Sequence, residues 1–338
     1  MRRLIFATQK LDPSDPVLAA TVPMVRALAA RVDELVVLCD YAEPGIADGN
    51  IRVHEFGAPT QAQRGTRFLR ALVRELRPRP DAFVAHMIPL YVAIAAPLLR
   101  PLRIPIVLWY SHPKGHSLVR VAAVAANVVL SVDQTTFPIA SPKLRAIGHG
   151  IDLTEFSCAD TREPHDEVLA LVLGRYSPIK GLDRILRAVA LAAQRGVHVR
   201  IEAHGVAGAE ADRAHKLELQ RLAHELGVDA ELGGDVPRAA VPELFARSDV
   251  LINATAGPSA DKVVYEAAAS CLAVLASSPA FSDLLPAEMR FERERPETLA
   301  DCLVALDRRR YPELRERVGA GHSVESWAVA VLDSVGRR

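Results

Sequence analysis

Residues 171–181 read Leu-Val-Leu-Gly-Arg-Tyr-Ser-Pro-Ile-Lys-Gly, and their pattern indicates the fold class. It predicts a strand that ends at Gly174, a Ser-Pro turn and a helix that begins at Leu182. The turn places Arg175 and Lys180 at the carboxyl edge of a sheet, beside the positive N-terminus of a helix. Such an edge suits a diphosphate. A surface turn with two solvated cations is the alternative that this segment alone leaves open, since it has no Walker lysine and no G-x-G-x-x-G.

Outward from this stretch, short apolar runs alternate with amphipathic segments, as in parallel sheets covered by helices. The predicted strands are Arg3–Ala7, Glu34–Cys39, Ala82–Ala85, Ile106–Trp109, Val128–Ser131, Val168–Leu173, Val197–Ala203, Val250–Ile252 and Val274–Ala276. The predicted helices are Val17–Ala30, Leu90–Leu99, Leu182–Gln194, Lys216–Glu225, Val241–Ala246, Val263–Ala269 and Ser323–Val335.

A polar, acidic stretch at Ser157–Glu167 separates two such series. We therefore expect an α/β protein with two Rossmann-like, doubly wound domains, residues 1–155 and 165–322, which bind ligands at the carboxyl ends of their strands. A terminal helix within residues 323–338 is expected to pack back on the N-terminal domain, although periodicity alone permits either half.

The composition is that of a soluble globular protein, with 50% hydrophobic residues and 41 Lys+Arg against 41 Asp+Glu. This balance gives no overall field for nucleic acid. Four scattered cysteines (Cys39, Cys158, Cys271 and Cys302) predict neither a zinc site nor a disulfide framework, which favours a cytoplasmic location. The N-terminal apolar run is too short for a signal peptide, and the apolar stretch 82–99 is interrupted by His86 and two prolines, so no membrane span is expected.

A second segment, residues 251–277, repeats the pattern of strand, small-residue loop and helix, with the helix beginning near Lys262. Its unpaired amide groups can hold sugar hydroxyls or phosphate oxygens. Glu266 lies one turn into the helix and is followed by three alanines, which let the helix approach its neighbours closely. We expect this carboxylate to accept hydrogen bonds from a ribose diol, the alternative being a solvated glutamate.

These segments together resemble the retaining, nucleotide-sugar-dependent glycosyltransferases of family 4. The resemblance is carried by GRYSPIKGLDRIL (174–186), ELGGDVPRAAVPELFARSDVLINAT (231–255), DKVVYEAAA (261–269), GHGID (148–152), ATQKLDPSDPVLAA (7–20) and VLWYSH (107–112). The last two, and the DK-x-x-x-E donor helix, are similar to one bacterial subgroup. The resemblance spans nearly the whole chain and implies the GT-B architecture, in which two Rossmann-like domains face each other across a cleft.

The resemblance also implies a role for each matching residue. Arg175 and Lys180 would neutralise the donor diphosphate and its leaving-group charge in place of a metal ion, so neither a metal nor a cofactor is expected. His112 would contact the transferred sugar, with a polar residue that ends a strand as the alternative reading. The remaining donor-binding residues are Gly174 at the strand end, Val236 near the base, Gly257, Ser259, Asp261 and Lys262 in the loop, and Glu266 at the ribose.

Some positions depart from the family pattern. Pro258 replaces the first glutamate of E-x7-E, Cys271 stands where glycine is usual and Ala273 where proline is usual. In the subgroup with DK before the donor helix, Ser259, Asp261 and Lys262 would serve in place of that glutamate. The first-strand loop also lacks the glycines of many relatives. The departures at Pro258, Cys271 and Ala273 motivate the alternative of a catalytically silent protein.

The segment 61–77 predicts a basic amphipathic helix, because its arginines gather on one side and its apolar residues on the other. The arginines are Arg64, Arg67, Arg70, Arg74 and Arg77, and the apolar residues are Phe68, Leu69, Leu72, Val73 and Leu76. A core-packed helix with a solvated face is one interpretation. A contact with the acceptor or with an anionic membrane surface is the other, and it would place the protein at the inner face of the plasma membrane.

We expect a hexosyltransferase that moves a sugar from a nucleotide diphosphate sugar to a hydroxyl acceptor. The resemblance implies front-face departure of the diphosphate and retention of configuration. The resemblance implies a lipid-linked or cell-envelope glycan as acceptor. The alternative is a catalytically silent protein that binds a nucleotide sugar or a lipid head as a partner or regulator. A dinucleotide oxidoreductase is a weaker third candidate, because no G-x-G-x-x-G follows the first strand.

Overall fold

The computed structural model describes residues 2–15, 18–112, 115–163 and 165–336. The strands are β1 (Arg3–Ala7), β2 (Lys10–Leu11), β3 (Glu34–Cys39), β4 (Tyr41–Ala42), β5 (Ile51–Glu55), β6 (Ala82–His86), β7 (Ile106–Trp109), β8 (Val128–Ser131), β9 (Leu144–Ala146), β10 (Val168–Leu173), β11 (Val199–His204), β12 (Ala230–Leu232), β13 (Val250–Asn253) and β14 (Ala273–Ala276). The α-helices are α1 (Thr21–Ala29), α2 (Gln61–Arg74), α3 (Pro89–Leu99), α4 (Ser117–Ala125), α5 (Leu182–Gln194), α6 (Glu210–Leu226), α7 (Val241–Arg247), α8 (Lys262–Ala269), α9 (Pro296–Val304), α10 (Pro312–Gly321) and α11 (Val324–Gly336).

The chain folds into two units. Unit 1 contains the residues up to Asp152 together with those from Gly321 onward, and unit 2 runs from Leu153 to Ala320. In unit 1 a parallel sheet has the order β5-β3-β1-β6-β7-β8-β9, and in unit 2 a parallel sheet has the order β12-β11-β10-β13-β14. In each sheet the order reverses at the first strand, which is the position where doubly wound sheets bind ligands.

The inner strands are apolar throughout because helices cover both faces of a doubly wound sheet. All five residues of β1 and all four of β13 are buried. In unit 1 the helix α11 packs against α1 and buries Trp327, whose ring meets Phe6 and Trp109 edge-on with centroids 6.4 Å from each. Both ends of the chain therefore contribute to the core of unit 1.

Two sequence expectations need correction. The N-terminal helix begins at Thr21 rather than at residue 17, and residues 16 and 17 lie outside the described residues. Two cysteines pair: the structure joins Cys158 to Cys271 by a disulfide, with the Cα atoms 5.0 Å apart. The sequence analysis, which predicted no disulfide framework, missed this bond because the two residues are 113 positions apart and only the fold brings them together. Within the described residues, no helix is long and apolar enough to cross a membrane.

Candidate functional site

The two loops singled out by sequence meet at the carboxyl edge of the unit 2 sheet. Their strands β10 and β13 are neighbours, with Leu171 paired to Leu251. Beyond the strand ends, the Lys180 ammonium lies 2.6 Å from Asp261 Oδ2 and 3.4 Å from Thr255 Oγ1. A cation from the first loop and a carboxylate from the second, both predicted donor-binding residues, are thereby joined.

Asp261 is the centre of this contact. Its Oδ2 also accepts hydrogen bonds from Thr255 Oγ1 at 2.6 Å and Asn253 Nδ2 at 2.9 Å, and its Oδ1 accepts from Ser259 Oγ at 2.8 Å. Burial raises the pKa of Asp261. The Lys180 charge and the hydrogen bonds from Lys180, Thr255 and Asn253 lower it by more, so that the net pKa is about 2. The side chain is therefore a carboxylate at neutral pH.

Arg175 differs from Lys180 in having no such partner. Its side chain is exposed, and its guanidinium makes no hydrogen bond or ion pair with any residue that the structure describes. It lines the same cavity as Gly174, Lys180, His204, Asn253 and Thr255. Arg175, which is exposed, and Lys180, which is paired with Asp261, thus line a single cavity at the strand ends.

The first loop is held close to its neighbours. A Cβ on Gly181, where φ is +68°, would lie 2.6 Å from the Ala254 carbonyl oxygen, so this position requires glycine. The Arg293 guanidinium donates from Nε to Ala254 O at 2.7 Å and from Nη2 to Pro178 O at 3.1 Å. Arg293 thereby ties the two loops together. Sequence reasoning missed it, because nothing in the pattern around residue 293 indicates a contact with residues 178 and 254.

Glu266 is buried on α8, and its Oε1 accepts from Arg238 Nη1 at 2.8 Å. The same guanidinium donates to Glu155 Oε2 at 2.6 Å and lies over the Phe156 ring, 5.6 Å from its centroid. Burial lowers the pKa of Arg238, but the two carboxylates raise it above its usual value. Glu266 therefore has a cationic partner that the sequence analysis did not foresee, although Arg238 stands only two residues after the predicted base contact at Val236.

The remaining donor-side residues surround this core of the site. Val236 is half-buried between β12 and a short 3₁₀ turn at Arg238–Ala240. Gly257 adopts a φ of +77° with open space beside it, and the Ser259 amide donates to Ser278 Oγ at 3.1 Å. Lys262 is the first residue of α8. The structure thus brings every predicted donor residue of unit 2 to the loops at one sheet edge or to the helix beside it.

Unit 1 holds the other predicted residues. His112 follows β7, is exposed, and has its ring centroid 6.4 Å from that of Tyr110. Its contact with a transferred sugar stays a prediction.

The helix α2 begins after Thr60, whose side chain accepts from the Gln63 amide at 3.3 Å. Its buried residues are Phe68, Ala71 and Leu72. On the outer side, Arg67, Arg70 and Arg74 are exposed, whereas Arg64 pairs with Asp40 at 3.2 Å. Val73 is 51% exposed, so its predicted place on the apolar face is wrong.

The chain is similar to known glycosyltransferases in part of its sequence and in its fold. The family model described as "Glycosyl transferases group 1" matches residues 154–282, which include the site of unit 2. A glycosyltransferase from Rickettsia africae ESF-5 shares 13% identity with a TM-score of 0.75, over 99% of this chain and 97% of that one. Anabaena Alr3699/HepE, solved with UDP and glucose, shares 16% identity with a TM-score of 0.73, over 99% of each chain.

Sucrose-phosphate synthase from Thermosynechococcus elongatus shares 14% identity with a TM-score of 0.73, over 98% of each chain. No curated protein matches the chain in sequence. At these identities the structural likeness shows the fold, which is the GT-B fold of glycosyltransferases with two Rossmann-like units.

Proposed function

We propose that the protein is a retaining hexosyltransferase that moves a sugar from a nucleotide diphosphate sugar to a hydroxyl group of a lipid-linked or cell-envelope glycan. The observation that carries this proposal is the meeting of the two cation-bearing loops at the strand-order reversal of unit 2, within the segment that the glycosyltransferase family model matches. The solved neighbour with bound UDP supports a uridine nucleotide as the first donor to test.

In this proposal Arg175 and Lys180 bind the diphosphate and stabilise the charge that develops as it leaves the sugar. The N-termini of α5 and α8 add partial positive charge at the same edge. The exposed Arg175 is free to turn toward a phosphate, and Lys180 is already held at the strand ends. The acceptor hydroxyl attacks the face from which the diphosphate departs, which retains the configuration without a metal ion.

The first experiment is a thermal-shift panel of UDP-, GDP-, ADP- and dTDP-sugars against the wild type and Lys180→Ala. A donor at about 100 times its dissociation constant stabilises the native state by about 2.7 kcal/mol. We expect one base class to stabilise the wild type and Lys180→Ala to lose the effect. Arg187→Ala is the matched control, because Arg187 is an exposed cation on α5.

Transfer or hydrolysis of the selected sugar nucleotide then separates an enzyme from a silent binding protein. Stabilisation without turnover would favour the silent binding protein. That alternative is suggested by Pro258, Cys271 and Ala273, which depart from the pattern of the family that the sequence resembles. Absence of stabilisation by every donor would contradict the diphosphate site itself.

We further propose that unit 1 docks on an anionic lipid bilayer through α2, α3 and α4. These helices pack side by side on one core cluster and together contain five arginines and no Asp or Glu. Exposed apolar side chains lie on the same helices, with Leu90 at 37%, Val121 at 53% and Val124 at 70% exposure. A surface that combines arginines with apolar side chains suits anionic headgroups and the acyl boundary.

Sedimentation with vesicles tests this contact. We expect binding to phosphatidylcholine vesicles that contain phosphatidylglycerol and none to phosphatidylcholine alone. Arg70→Ser with Arg74→Ser removes two charges of about 1 kcal/mol each, or about thirtyfold in affinity. The control pair Arg187→Ser with Arg221→Ser changes exposed arginines of unit 2 and should bind as the wild type does. Equal loss in both pairs would contradict a docking face on unit 1.

A further inference from the structure

The pairing of Lys180 with Asp261 reduces the net positive charge at the proposed diphosphate site. A site for a diphosphate gains from every cation, yet here the Lys180 ammonium contacts a carboxylate at 2.6 Å. The two side chains are only 22% and 15% exposed, so water screens this pair weakly. As a pair they contribute no net charge, which leaves Arg175 as the cation lining this cavity that has no hydrogen-bond or ion-pair partner among the described residues.

We propose that Asp261 is a counter-charge that weakens the hold of the site on the released nucleoside diphosphate while it keeps the Lys180 ammonium in position. This inference rests on the proposed function, because it concerns the same diphosphate site. It adds a residue whose role is to set the difference in affinity between the donor and the product.

The contacts of Asp261 support a role beyond anchoring the loop. Three of its four partners, Asn253, Thr255 and Ser259, are neutral donors that a neutral acceptor such as an amide oxygen also satisfies in part. The carboxylate differs from such an acceptor by a full negative charge. That charge lies at the edge where the diphosphate is expected, and it persists at neutral pH because Asp261 stays ionised.

The chemistry of the ligands explains why this charge discriminates. A nucleotide diphosphate sugar carries two negative charges, because its second phosphate is esterified to the sugar. Departure of the sugar frees a terminal phosphate whose second pKa is about 6, so the product carries one more negative charge at pH 8. A fixed carboxylate nearby repels the product more strongly than the donor, since the repulsion scales with the product of the charges.

The test compares Asp261→Asn with the wild type by titration calorimetry at pH 8 on the full chain. The probes are UDP, or the diphosphate of whichever base the donor panel selects, and its β-methyl ester, which has one negative charge fewer. We expect Asp261→Asn to bind the diphosphate about tenfold more tightly and the methyl ester only about threefold more tightly. Unchanged or weaker binding of the diphosphate in this variant would overturn the proposal.

Two further variants isolate the charge. Asp261→Glu keeps the carboxylate and should bind both probes within about threefold of the wild type. In Lys180→Ala with Asp261→Asn, the repulsive partner is absent as well as the cation, so binding should be restored toward the wild type relative to Lys180→Ala alone. An anchor without an electrostatic role would give weaker binding in every Asp261 variant, and that result would also overturn the proposal.

Inorganic pyrophosphate separates failure of this inference from failure of the proposed function, because it needs no base contact. If the wild type binds neither pyrophosphate nor any nucleotide, both proposals fall. If the wild type binds and Lys180→Ala does not, the diphosphate site stands and the Asp261 variants decide this inference alone. Should Asp261→Asn fail to fold, the wild type decides: the diphosphate must bind within about threefold of its methyl ester, and a preference above about tenfold overturns the proposal.

Discussion

At the scale of single residues, Cys271 stands where the glycosyltransferase family that the sequence resembles usually has glycine. It lies between α8 and β14 with a φ of +58°, a conformation that favours glycine and that a residue with a Cβ adopts only at a cost. The glycine usual at this position suits that backbone. In this chain a cysteine adopts the left-handed backbone conformation in spite of its Cβ, and its sulfur is bonded to that of Cys158.

Replacing Cys271 with glycine should therefore affect stability differently in the two redox states. With reductant present, Cys271→Gly relieves the left-handed backbone but also removes a fully buried side chain, so the free energy of unfolding should change by less than about 1 kcal/mol. Without reductant it removes a crosslink over 113 residues and should lower that free energy by about 2–4 kcal/mol. Urea denaturation with and without dithiothreitol measures both effects.

Cys158→Ser serves as the control, since it breaks the same disulfide at an exposed position and leaves the backbone at Cys271 unchanged. It should lose stability without reductant and match the wild type with reductant. If the wild type unfolds at the same urea concentration in both conditions, the two sulfurs are not bonded in solution.

The site residues also show what a sequence can predict at this scale. Arg175, Lys180 and Asp261 lie in loops whose composition marks them, and the structure places all three at one edge. Arg238 and Arg293 were not predicted, because their roles depend on partners that are distant in sequence. Arg238 donates to Glu266, 28 positions away, and Arg293 donates to Ala254, 39 positions away. Spacing within a loop carries no information about such contacts.

At the scale of elements, prediction succeeded where burial dictates the pattern. The inner strands β1, β3, β7, β8 and β10 have the predicted bounds, because both faces of each are covered and the residues are nearly all apolar. Among the missed strands, β5, β9 and β12 are the edge strands of their sheets, and apart from Leu232 their residues are exposed or half-buried. The first turns of α6, from Glu210, were missed because they are largely exposed and polar. Helix α10 buries only Leu314 and Val318, too few for a clear period.

The end of β11 must approach the first loop closely, and this can be tested. A Cβ on Gly205 would lie 1.8 Å from the Gly174 carbonyl oxygen, a contact that no flexible side chain can relieve. Gly205→Ala should therefore displace the loop that carries Arg175 and Lys180. We expect a loss of about 2–4 kcal/mol in the free energy of unfolding, and loss of diphosphate binding.

Gly234→Ala is the matched control for this substitution. Gly234 accepts the Gly205 amide hydrogen bond at 2.9 Å through its backbone, and a Cβ there meets nothing within 4 Å. Its free energy of unfolding should stay within about 0.5 kcal/mol of the wild type. Equal effects at the two glycines in urea denaturation would show that the close approach to Gly174 is not what matters.

At the scale of the whole molecule, charge is divided unequally although the total is balanced. Residues 1–152 contain 18 Lys+Arg and 12 Asp+Glu, whereas residues 153–338 contain 23 and 29. The basic excess belongs to the part that carries α2, and the acidic excess to the part that carries the diphosphate loops. Attraction of a nucleotide therefore depends on the local cations Arg175 and Lys180 and on helix N-termini, because the net charge of that part opposes an anion.

The division into units predicts that the donor side works without the rest of the chain. Unit 2 has a five-stranded sheet with its own core and is of ordinary domain size. The donor contacts proposed above, from Arg175 to Glu266, all come from this unit. A fragment of residues 153–320 should unfold in one cooperative transition and bind the selected nucleoside diphosphate within about threefold of the full chain.

The complementary prediction concerns unit 1, whose core needs both ends of the chain. A chain that stops at residue 320 lacks Trp327, which is fully buried between Phe6 and Trp109. Removing a buried tryptophan with its helix costs more than the 3–5 kcal/mol of a single truncation to alanine, so unit 1 should unfold while unit 2 keeps its ligand-induced thermal shift. Calorimetry of the shortened chain should then show only the unfolding transition of unit 2, with less total heat absorbed than the full chain absorbs. If the shortened chain keeps the heat absorption of the full chain, α11 is not part of the cooperative core of unit 1.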